Sequence, residues 1–158
     1  MAYILNLLIV VGLNLSLLWT SPTLTLTLAD QRSDADALCA FKLGIIDWPS
    51  SIASGSGWNC NGSTATSFPC GTGGVAWTGI SCGTSAEVRG LDGNSFIGNL
   101  KGTISPAIGE LTGLTSLNLN SQALSKSIPV DISKLTRLDY LDLSSNSLSG
   151  KRDISCYI

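Results

Sequence analysis

Cysteine is the residue type in this chain best suited to covalent chemistry, and histidine is absent. The 158 residues include five cysteines, which are Cys39, Cys60, Cys70, Cys82 and Cys156. Protein zinc sites need ligands in closely spaced pairs, and the sequence has neither a C-x-x-C motif nor a histidine partner, so we expect no metal site. In an oxidising compartment some of these cysteines would form disulfides, and an odd number leaves one over.

Motifs for nucleotide binding or acyl transfer are lacking. Residues 71–74 read Gly-Thr-Gly-Gly, but no Gly-Lys-Ser/Thr follows, which favours an ordinary turn over a phosphate-binding loop. No G-x-S-x-G nucleophile elbow occurs, and Asp139 and Asp142 imply no paired acid–base geometry. Nine basic against eleven acidic residues provide no basic field for a phosphate backbone. We therefore predict no enzyme activity, no cofactor and no nucleic-acid partner.

The residues before position 30 are predicted to be a targeting segment. Residues 4–19 are almost wholly apolar, and the first basic side chain is Arg32. Thr27 and Ala29 place small residues at the −3 and −1 positions of a cleavage site, which favours a cleaved signal peptide over residues 1–29. An uncleaved membrane anchor is the alternative. Both alternatives predict that the remaining chain enters the secretory pathway. Its expected location is the cell exterior (the apoplast) or the cell surface.

Two N-glycosylation sequons occur, at Asn14 and at Asn61. Asn61-Gly62-Ser63 lies in a Gly/Ser-rich stretch, which predicts an exposed loop and a glycan on Asn61. The Asn14 sequon lies inside the targeting segment and should carry none.

Leucines recur with a period of 24 residues. One apolar set comprises Leu114, Leu117, Leu119, Leu124, Ile128, Ile132 and Leu135. Adding 24 to the first four positions gives Leu138, Leu141, Leu143 and Leu148. A repeated L-x-x-L-x-L motif at this period is the leucine-rich-repeat pattern. The alternation within each motif predicts a short strand with one buried face, and an isoleucine-containing arc that returns the chain on the other side of a coil.

The unit before these repeats is irregular. Val88 and Leu91 begin it correctly, but Gly93 lies where the third leucine belongs. The unit is two residues longer than the next, which predicts a bulge or slack turn around residues 93–98. Asn146 occupies the inward asparagine position, and its counterpart one repeat earlier is Gln122, which is longer and less well suited to bonding the backbone of the turn.

Residues 30–87 predict a different structure, a cap over the apolar end of the first repeat. Ser33 to Asp36 has the form of a helix capping box, and Leu38, Phe41 and Ile45 follow at i, i+3 and i+7. These positions predict one helix of about three turns that ends near Gly44. Beyond it, the tryptophans of the cap are spaced by many glycines and serines: Trp48, Trp58 and Trp77.

These segments together resemble the plant-type leucine-rich-repeat cap and its repeats. Residues 36–42 (Asp-Ala-Leu-Cys-Ala-Phe-Lys) are similar to the D-x-x-A-L-L-x-F-K helix, and residues 68–70 and 77–82 are similar to its P-C…W-x-G-[IV]-x-C ending. Residues 141–150 are close to the L-D-L-S-x-N-x-L-S-G consensus. The resemblance covers roughly residues 34–150. It implies an extracellular region like those of plant receptor-like kinases, receptor-like proteins and secreted polygalacturonase inhibitors.

The resemblance also implies a disulfide between Cys70 and Cys82. Cys39, which replaces a leucine of the helix motif, is expected to be a buried inert thiol beside core positions. Cys60 is extra to the family pattern and could pair with Cys39, exchange with Cys70 or stay free. Cys156 is expected to be a free or intermolecular thiol.

Two repeat positions depart from the consensus. Lys126 stands where the consensus has glycine, and Arg152 stands where the third repeat needs an isoleucine. Residues 151–158 are predicted to be a disordered tail. The sequence shows no terminal cap, transmembrane helix or kinase signature after the repeats, so the chain is expected to be a truncated relative of the family.

Strand alternation selects the candidate binding residues. If Leu117 and Leu119 face inward, their neighbours must face outward on the concave side that solenoids use for recognition. Stacking at the repeat period should place these polar residues in rows: Asp92, Ser116, Asn118, Asn120, Tyr140, Asp142 and Ser144. Tyr140 is the preferred anchor, because exposed aromatic residues often dominate interfaces.

The predicted fold is therefore α/β: a short right-handed leucine-rich-repeat solenoid with an N-terminal helix-plus-loop cap (30–87), about three repeats (88–150, the first irregular and the last truncated) and a parallel sheet on its concave face. The expected function is non-catalytic recognition of an extracellular peptide or protein, with a receptor kinase as one candidate partner. A membrane is expected to be contacted only through an uncleaved N-terminal segment. The alternatives are a secreted inhibitor of a cell-wall-degrading enzyme, and a truncated product with a structural or lateral-association role.

Overall fold

The computed structural model describes residues 22–49, 57–71 and 76–150. The apolar segment at residues 4–19, the tail at 151–158 with Cys156, and most of the Gly-Thr-Gly-Gly turn lie outside the described residues. No helix among the described residues is long and apolar enough to cross a bilayer.

The helix of the cap, α1, spans Pro22–Leu43, and Gly44 follows it in a turn, close to the predicted end. The expected start at Ser33 is wrong, because the helix continues upstream and already pairs the backbone N–H groups that a capping box would satisfy. The carboxylate of Asp34 instead accepts a hydrogen bond from the backbone N–H of Val88 (2.9 Å), and that of Asp36 accepts one from Ala65 (2.7 Å). The predicted capping residues therefore tie the helix to the rest of the fold. The expected cleavage point after Ala29 falls within this helix.

A small hairpin packs against α1. Strands β1 (Cys60–Asn61) and β2 (Thr64–Ala65) pair antiparallel, and the Arg32 guanidinium donates a hydrogen bond to the Ala65 carbonyl (2.9 Å). This packing brings Cys60 to Cys39, and the two form a disulfide. The expectation of an inert thiol at Cys39 is wrong, because a helix position facing the core can equally face a strand packed on that helix. The expected Cys70–Cys82 disulfide is present.

Aromatic side chains fill the space between the cap and the first repeat. Trp58 is buried, and its ring centroid lies 4.9 Å from Trp48, 5.1 Å from Trp77 and 6.0 Å from Phe96. The Trp58 indole N–H donates to the Thr78 carbonyl at 2.8 Å. The cluster joins residues of the cap to Phe96, which follows the first repeat strand.

Four strands form the main sheet in the order β3 (Ile80–Cys82), β4 (Val88–Asp92), β6 (Ser116–Asn118) and β8 (Tyr140–Asp142). The last three are parallel, and Leu91, Leu117 and Leu141 lie side by side in register. Leu91 and Leu117 are fully buried, whereas Leu141 is half-buried. Strand β3 pairs antiparallel with β4, with a register shift at Ser81/Cys82.

A second parallel sheet, which the sequence did not predict, lies on the return side of the coils. It consists of β5 (Lys101–Gly102), β7 (Ala123–Ser127) and β9 (Ser147–Ser149). Ile45 adds an antiparallel bridge to Gly102, so this sheet also connects to the cap. The isoleucine-containing arcs form 3₁₀ helices, Pro106–Glu110 and Val130–Lys134.

The extra residues of the first repeat form a 3₁₀ turn, Gly93–Ser95, in place of the expected bulge or slack turn. Asp92 caps this turn by accepting a hydrogen bond from the Asn94 backbone N–H at 3.1 Å. The insertion is therefore an ordered and capped element.

Amide side chains at the inward position link successive coils. Asn146 accepts from the Leu124 N–H (3.0 Å) and donates to the carbonyls of Leu119 and Leu143. Gln122, one repeat earlier, accepts from the Leu100 N–H at 2.8 Å and donates to the Asn120 carbonyl. Gln122 thus accepts from the backbone N–H of Leu100, just as Asn146 accepts from that of Leu124, although the glutamine side chain is longer. It donates to fewer carbonyls than Asn146 does.

Candidate recognition face on the main sheet

The outward positions of β4, β6 and β8 form rows across the main sheet, which we call the strand face. Ser116 pairs with Tyr140, and Asn118 pairs with Asp92 on one side and Asp142 on the other. The rows exist because the buried leucines of each strand force their neighbours to point away from the core. The register therefore brings these five predicted residues together.

The middle row also has a structural role. Asp92, Asn118 and Asp142 each accept a hydrogen bond from the backbone N–H two residues later, at 3.1, 3.2 and 2.9 Å. Such side-chain-to-backbone bonds stabilise the turn that ends a strand. The same geometry in three successive coils holds the row rigid, which favours binding by reducing the entropy lost on association.

Asp142 is the centre of the polar network on this face. Its carboxylate accepts hydrogen bonds from the Ser144 hydroxyl (2.6 Å), the Ser144 backbone N–H (2.9 Å) and the Asn120 amide (3.1 Å). The Ser144 hydroxyl, followed by the Ser144 N–H and the Asn120 amide, lowers the pKa of Asp142 below its usual value. Asn120 and Ser144, the remaining predicted residues, therefore meet at one carboxylate that stays ionised at neutral pH.

Tyr140 is 49% exposed at the far strand of the face. Its hydroxyl lies 3.5 Å from Oδ2 of Asp142. The ring is thus oriented by its neighbour while much of its surface is open to solvent, which is the environment expected of an aromatic anchor.

Strand β4 contributes differently from the other two strands. Gly90 stands opposite Ser116, so it adds no side chain to that row. The Ser81 hydroxyl of β3 occupies the space that a Cβ on Gly90 would fill. Ser81 therefore extends the face toward the cap. It was not among the predicted residues, because Ile80-Ser81-Cys82 matches the cap motif and its alternation was not recognised as that of a strand.

The strand face is acidic. The carboxylates of Asp92 and Asp142 flank Asn118, whereas the guanidinium of Arg89 is held by Glu87 at 2.6 Å. The described residues contain no group of three histidine, cysteine or acidic side chains that could hold a metal ion.

No family model matches the chain. Curated proteins of Arabidopsis thaliana do match it. The chain is 35% identical over 121 residues to the LRR receptor-like serine/threonine-protein kinase GSO2, covering 76% of this chain and 9% of that protein. It is 41% identical over 76 residues to phytosulfokine receptor 1, covering 47% of this chain and 7% of that protein. The chain therefore spans less than a tenth of the length of these relatives.

Solved structures of receptor ectodomains share the fold. PEPR1 in complex with AtPEP1 superposes with a TM-score of 0.61 at 32% identity, covering 74% of this chain and 15% of that one. The Arabidopsis receptor kinase HAESA, solved with the peptide hormone IDA and the co-receptor SERK1, gives 0.57 at 32% identity, covering 73% and 17%.

The repeats of this chain form a leucine-rich-repeat region similar to those of plant receptor ectodomains. The kinase activity named for the relatives is a property of those longer proteins, of which this chain matches a small part.

Proposed function

We propose that this chain is a non-catalytic extracellular recognition module that binds a short peptide along the strand face, on the concave side of the coils. The observation that carries the proposal is the register of β4, β6 and β8, which aligns polar side chains in rows on a hydrogen-bonded scaffold. The similar receptor kinase HAESA was solved with the peptide hormone IDA, which supports the same class of ligand here.

The size of the face favours a peptide over a globular partner. Strands β4, β6 and β8 are five, three and three residues long. At about 3.3 Å per residue and about 4.8 Å between strands they give an area of roughly 170 Å². A standard protein–protein interface buries about 800 Å² on each partner. An extended peptide can cross the coils and use the whole of a small face, whereas a folded protein would need surface beyond it.

The charge of the face restricts the ligand. Asp142 keeps its charge at neutral pH, because its hydrogen bonds lower its pKa. A peptide that placed a carboxylate over the middle row would meet like charges, which disfavours binding. We expect ligands that present hydroxyl, amide or cationic groups to Asp92 and Asp142.

Extracellular placement is part of the proposal. Disulfides persist in oxidising compartments, and Cys39–Cys60 and Cys70–Cys82 both stabilise the cap. The similarity to receptor ectodomains points the same way.

The test is peptide selection on the secreted full chain. A displayed library of random twelve-residue peptides is panned against the wild type, and selected peptides are measured against Tyr140→Ala by titration calorimetry. We expect the substitution to weaken binding about thirtyfold or more, since truncating an aromatic anchor costs roughly 2 kcal/mol or more.

The matched control is Val130→Ala. Val130 is 85% exposed, but it lies on a 3₁₀ helix away from the main sheet. Selected peptides should bind this variant as they bind the wild type. An equal loss of peptide affinity in both variants would refute binding on the strand face. So would selected peptides that bind Tyr140→Ala as tightly as they bind the wild type.

A further inference from the structure

The geometry points to Asn61 as an N-glycosylated residue, displayed on a hairpin that is fixed to the cap helix. This inference uses only the secretory routing of the proposed function, and it is independent of peptide binding. The sequence motif supplies the acceptor, and the structure supplies three further conditions, which are access, a free amide and a rigid base.

Access is given by the shape of the hairpin. Asn61 ends β1 and pairs with Thr64, so Gly62 and Ser63 form the two-residue turn between the strands. All four residues from Asn61 to Thr64 are exposed. A Cβ placed on Gly62 would have no atom within 4 Å, so the space around the tip is open to a bulky substituent.

The side-chain amide of Asn61 is uncommitted. Within the part of the chain that the structure describes, no hydrogen bond reaches it. By contrast, the amide of Asn146 donates to one carbonyl of the preceding coil and two of its own, and the amide of Asn120 bonds Asp142. Substitution of the Asn61 nitrogen therefore breaks no contact of the fold.

The base of the hairpin is rigid. Cys60 is bonded to Cys39 of α1. The Ala65 carbonyl accepts one hydrogen bond from Arg32, and the Ala65 N–H donates one to Asp36. The residues on either side of the sequon are thus held against the helix, and only the tip projects. A glycan on Asn61 would extend from this fixed point into solvent.

The modification is a group transfer from a lipid-linked oligosaccharide pyrophosphate. Nδ2 of Asn61 forms a bond to C1 of the first sugar, and the bond from C1 to the pyrophosphate oxygen breaks. The amide nitrogen loses one proton, and the lipid pyrophosphate leaves. The donor belongs to the secretory lumen, where N-x-Ser sequons are modified.

The test is translation of the full chain with and without microsomes, followed by digestion with an endoglycosidase that removes N-linked glycans. We expect the microsomal product to contain one glycosylated form, which the enzyme converts to a form of higher mobility. Ser63→Ala and Asn61→Gln should abolish this form. Ser63→Thr should keep it, since Thr also completes the sequon.

Asn14→Gln removes the other sequon and should leave the glycosylated form unchanged. The proposal is overturned if the chain is protected from added protease but unmodified, if it is not taken into microsomes, or if the shift survives Ser63→Ala. Peptide binding is tested separately with Tyr140→Ala. A chain that carries no glycan but still binds peptides through Tyr140 would therefore refute the glycosylation proposal and leave the proposed function standing.

Discussion

The same position of the repeat has a positive φ in all three coils. Glycine occupies it in two coils, and in the third it is occupied by lysine, which is poorly suited to this conformation. Gly102 and Gly150 have φ of 148° and 134°, and Lys126, which replaces the consensus glycine, has φ of 67°. A left-handed conformation costs a residue with a Cβ about 1–2 kcal/mol. Lys126 is therefore a locally strained residue within β7.

Lys126→Gly should stabilise the fold. Relief of the left-handed strain outweighs the extra chain entropy of glycine, which is about 0.5–1 kcal/mol, so we expect a net gain of roughly 0.5–1 kcal/mol in the free energy of unfolding. Chemical denaturation followed by circular dichroism measures it. Lys126→Ala is the control, because it removes the charge and keeps the strain; a gain from Lys126→Ala equal to that from Lys126→Gly would show that charge, not backbone conformation, is responsible.

The titration of Asp142 depends mainly on its neighbour Ser144. A carboxyl whose pKa is lowered by folding stabilises the protein above the unfolded-state pKa, and this stabilisation is lost as the pH falls through the folded-state pKa. Ser144→Ala removes the hydroxyl, the largest cause of the lowered pKa, so the pKa of Asp142 should rise toward its usual value. Carbon-detected NMR of the side-chain carboxyl during an acid titration measures the change.

Asn120→Ala provides the graded comparison, because its amide lowers the pKa of Asp142 less than the two Ser144 donors do. Its effect should be smaller than that of Ser144→Ala. An unchanged Asp142 pKa in Ser144→Ala would contradict the network described for the strand face.

Alternation and period were enough to predict the rows of the strand face. Leu117 and Leu141 fix which residues point outward, and the 24-residue spacing fixes which ones become neighbours, so Ser116 beside Tyr140 could be read without coordinates. The Cys39–Cys60 bond could not, because it depends on how a hairpin 21 residues away packs on the helix. Long-range packing of an irregular segment leaves no periodic signal.

At the scale of elements, the carboxylates of α1 act as connectors between segments distant in sequence. The local pattern from Ser33 to Asp36 fits a capping box, and only the continuation of the helix to Pro22 excludes that role. Asp34 then bonds the first residue of β4, and Asp36 bonds β2. The second sheet was missed for a related reason: β5 is two residues long and is defined by backbone pairing, which no side-chain pattern reports.

Asp34→Ala should loosen the attachment of the cap helix to the first repeat. Asp34 is buried at 4% exposure, and its removal leaves the Val88 N–H without this acceptor. An unpaired buried donor costs about 1–3 kcal/mol, so we expect destabilisation of that size. Hydrogen exchange should accelerate at Val88 and its neighbours in β4.

Asp36→Ala is the matched variant, since it removes an equivalent bond to Ala65 of the hairpin. Its exchange should accelerate in the hairpin and not in β4. If both variants gave the same exchange pattern, the two carboxylates would not be acting as separate connectors.

At the scale of the whole molecule, the cap and the repeats form one continuous structure. Strand β3 of the cap completes the main sheet, and Ile45 extends the second sheet through Gly102. A Cβ on Gly102 would collide with the backbone of Gly44, which shows how closely the end of α1 approaches the first coil. The aromatic cluster fills the same junction. These connections predict that the cap and the repeats unfold together.

The double variant Cys39→Ala/Cys60→Ala tests this cooperativity. Loss of a disulfide with a sequence separation of 21 should lower the free energy of unfolding by about 3 kcal/mol in the chain-entropy model. Three of the four tryptophans, Trp48, Trp58 and Trp77, lie in the cap, so their fluorescence reports on it, whereas far-ultraviolet circular dichroism reports on the whole fold. In the double variant, the midpoints of both unfolding transitions should move to lower denaturant concentration by the same amount. This is expected because β3, Ile45 and Asp34 still join the cap to the coils. A fluorescence transition that precedes the dichroism transition would instead show that the Cys39–Cys60 bond holds together a cap that is otherwise independent of the repeats.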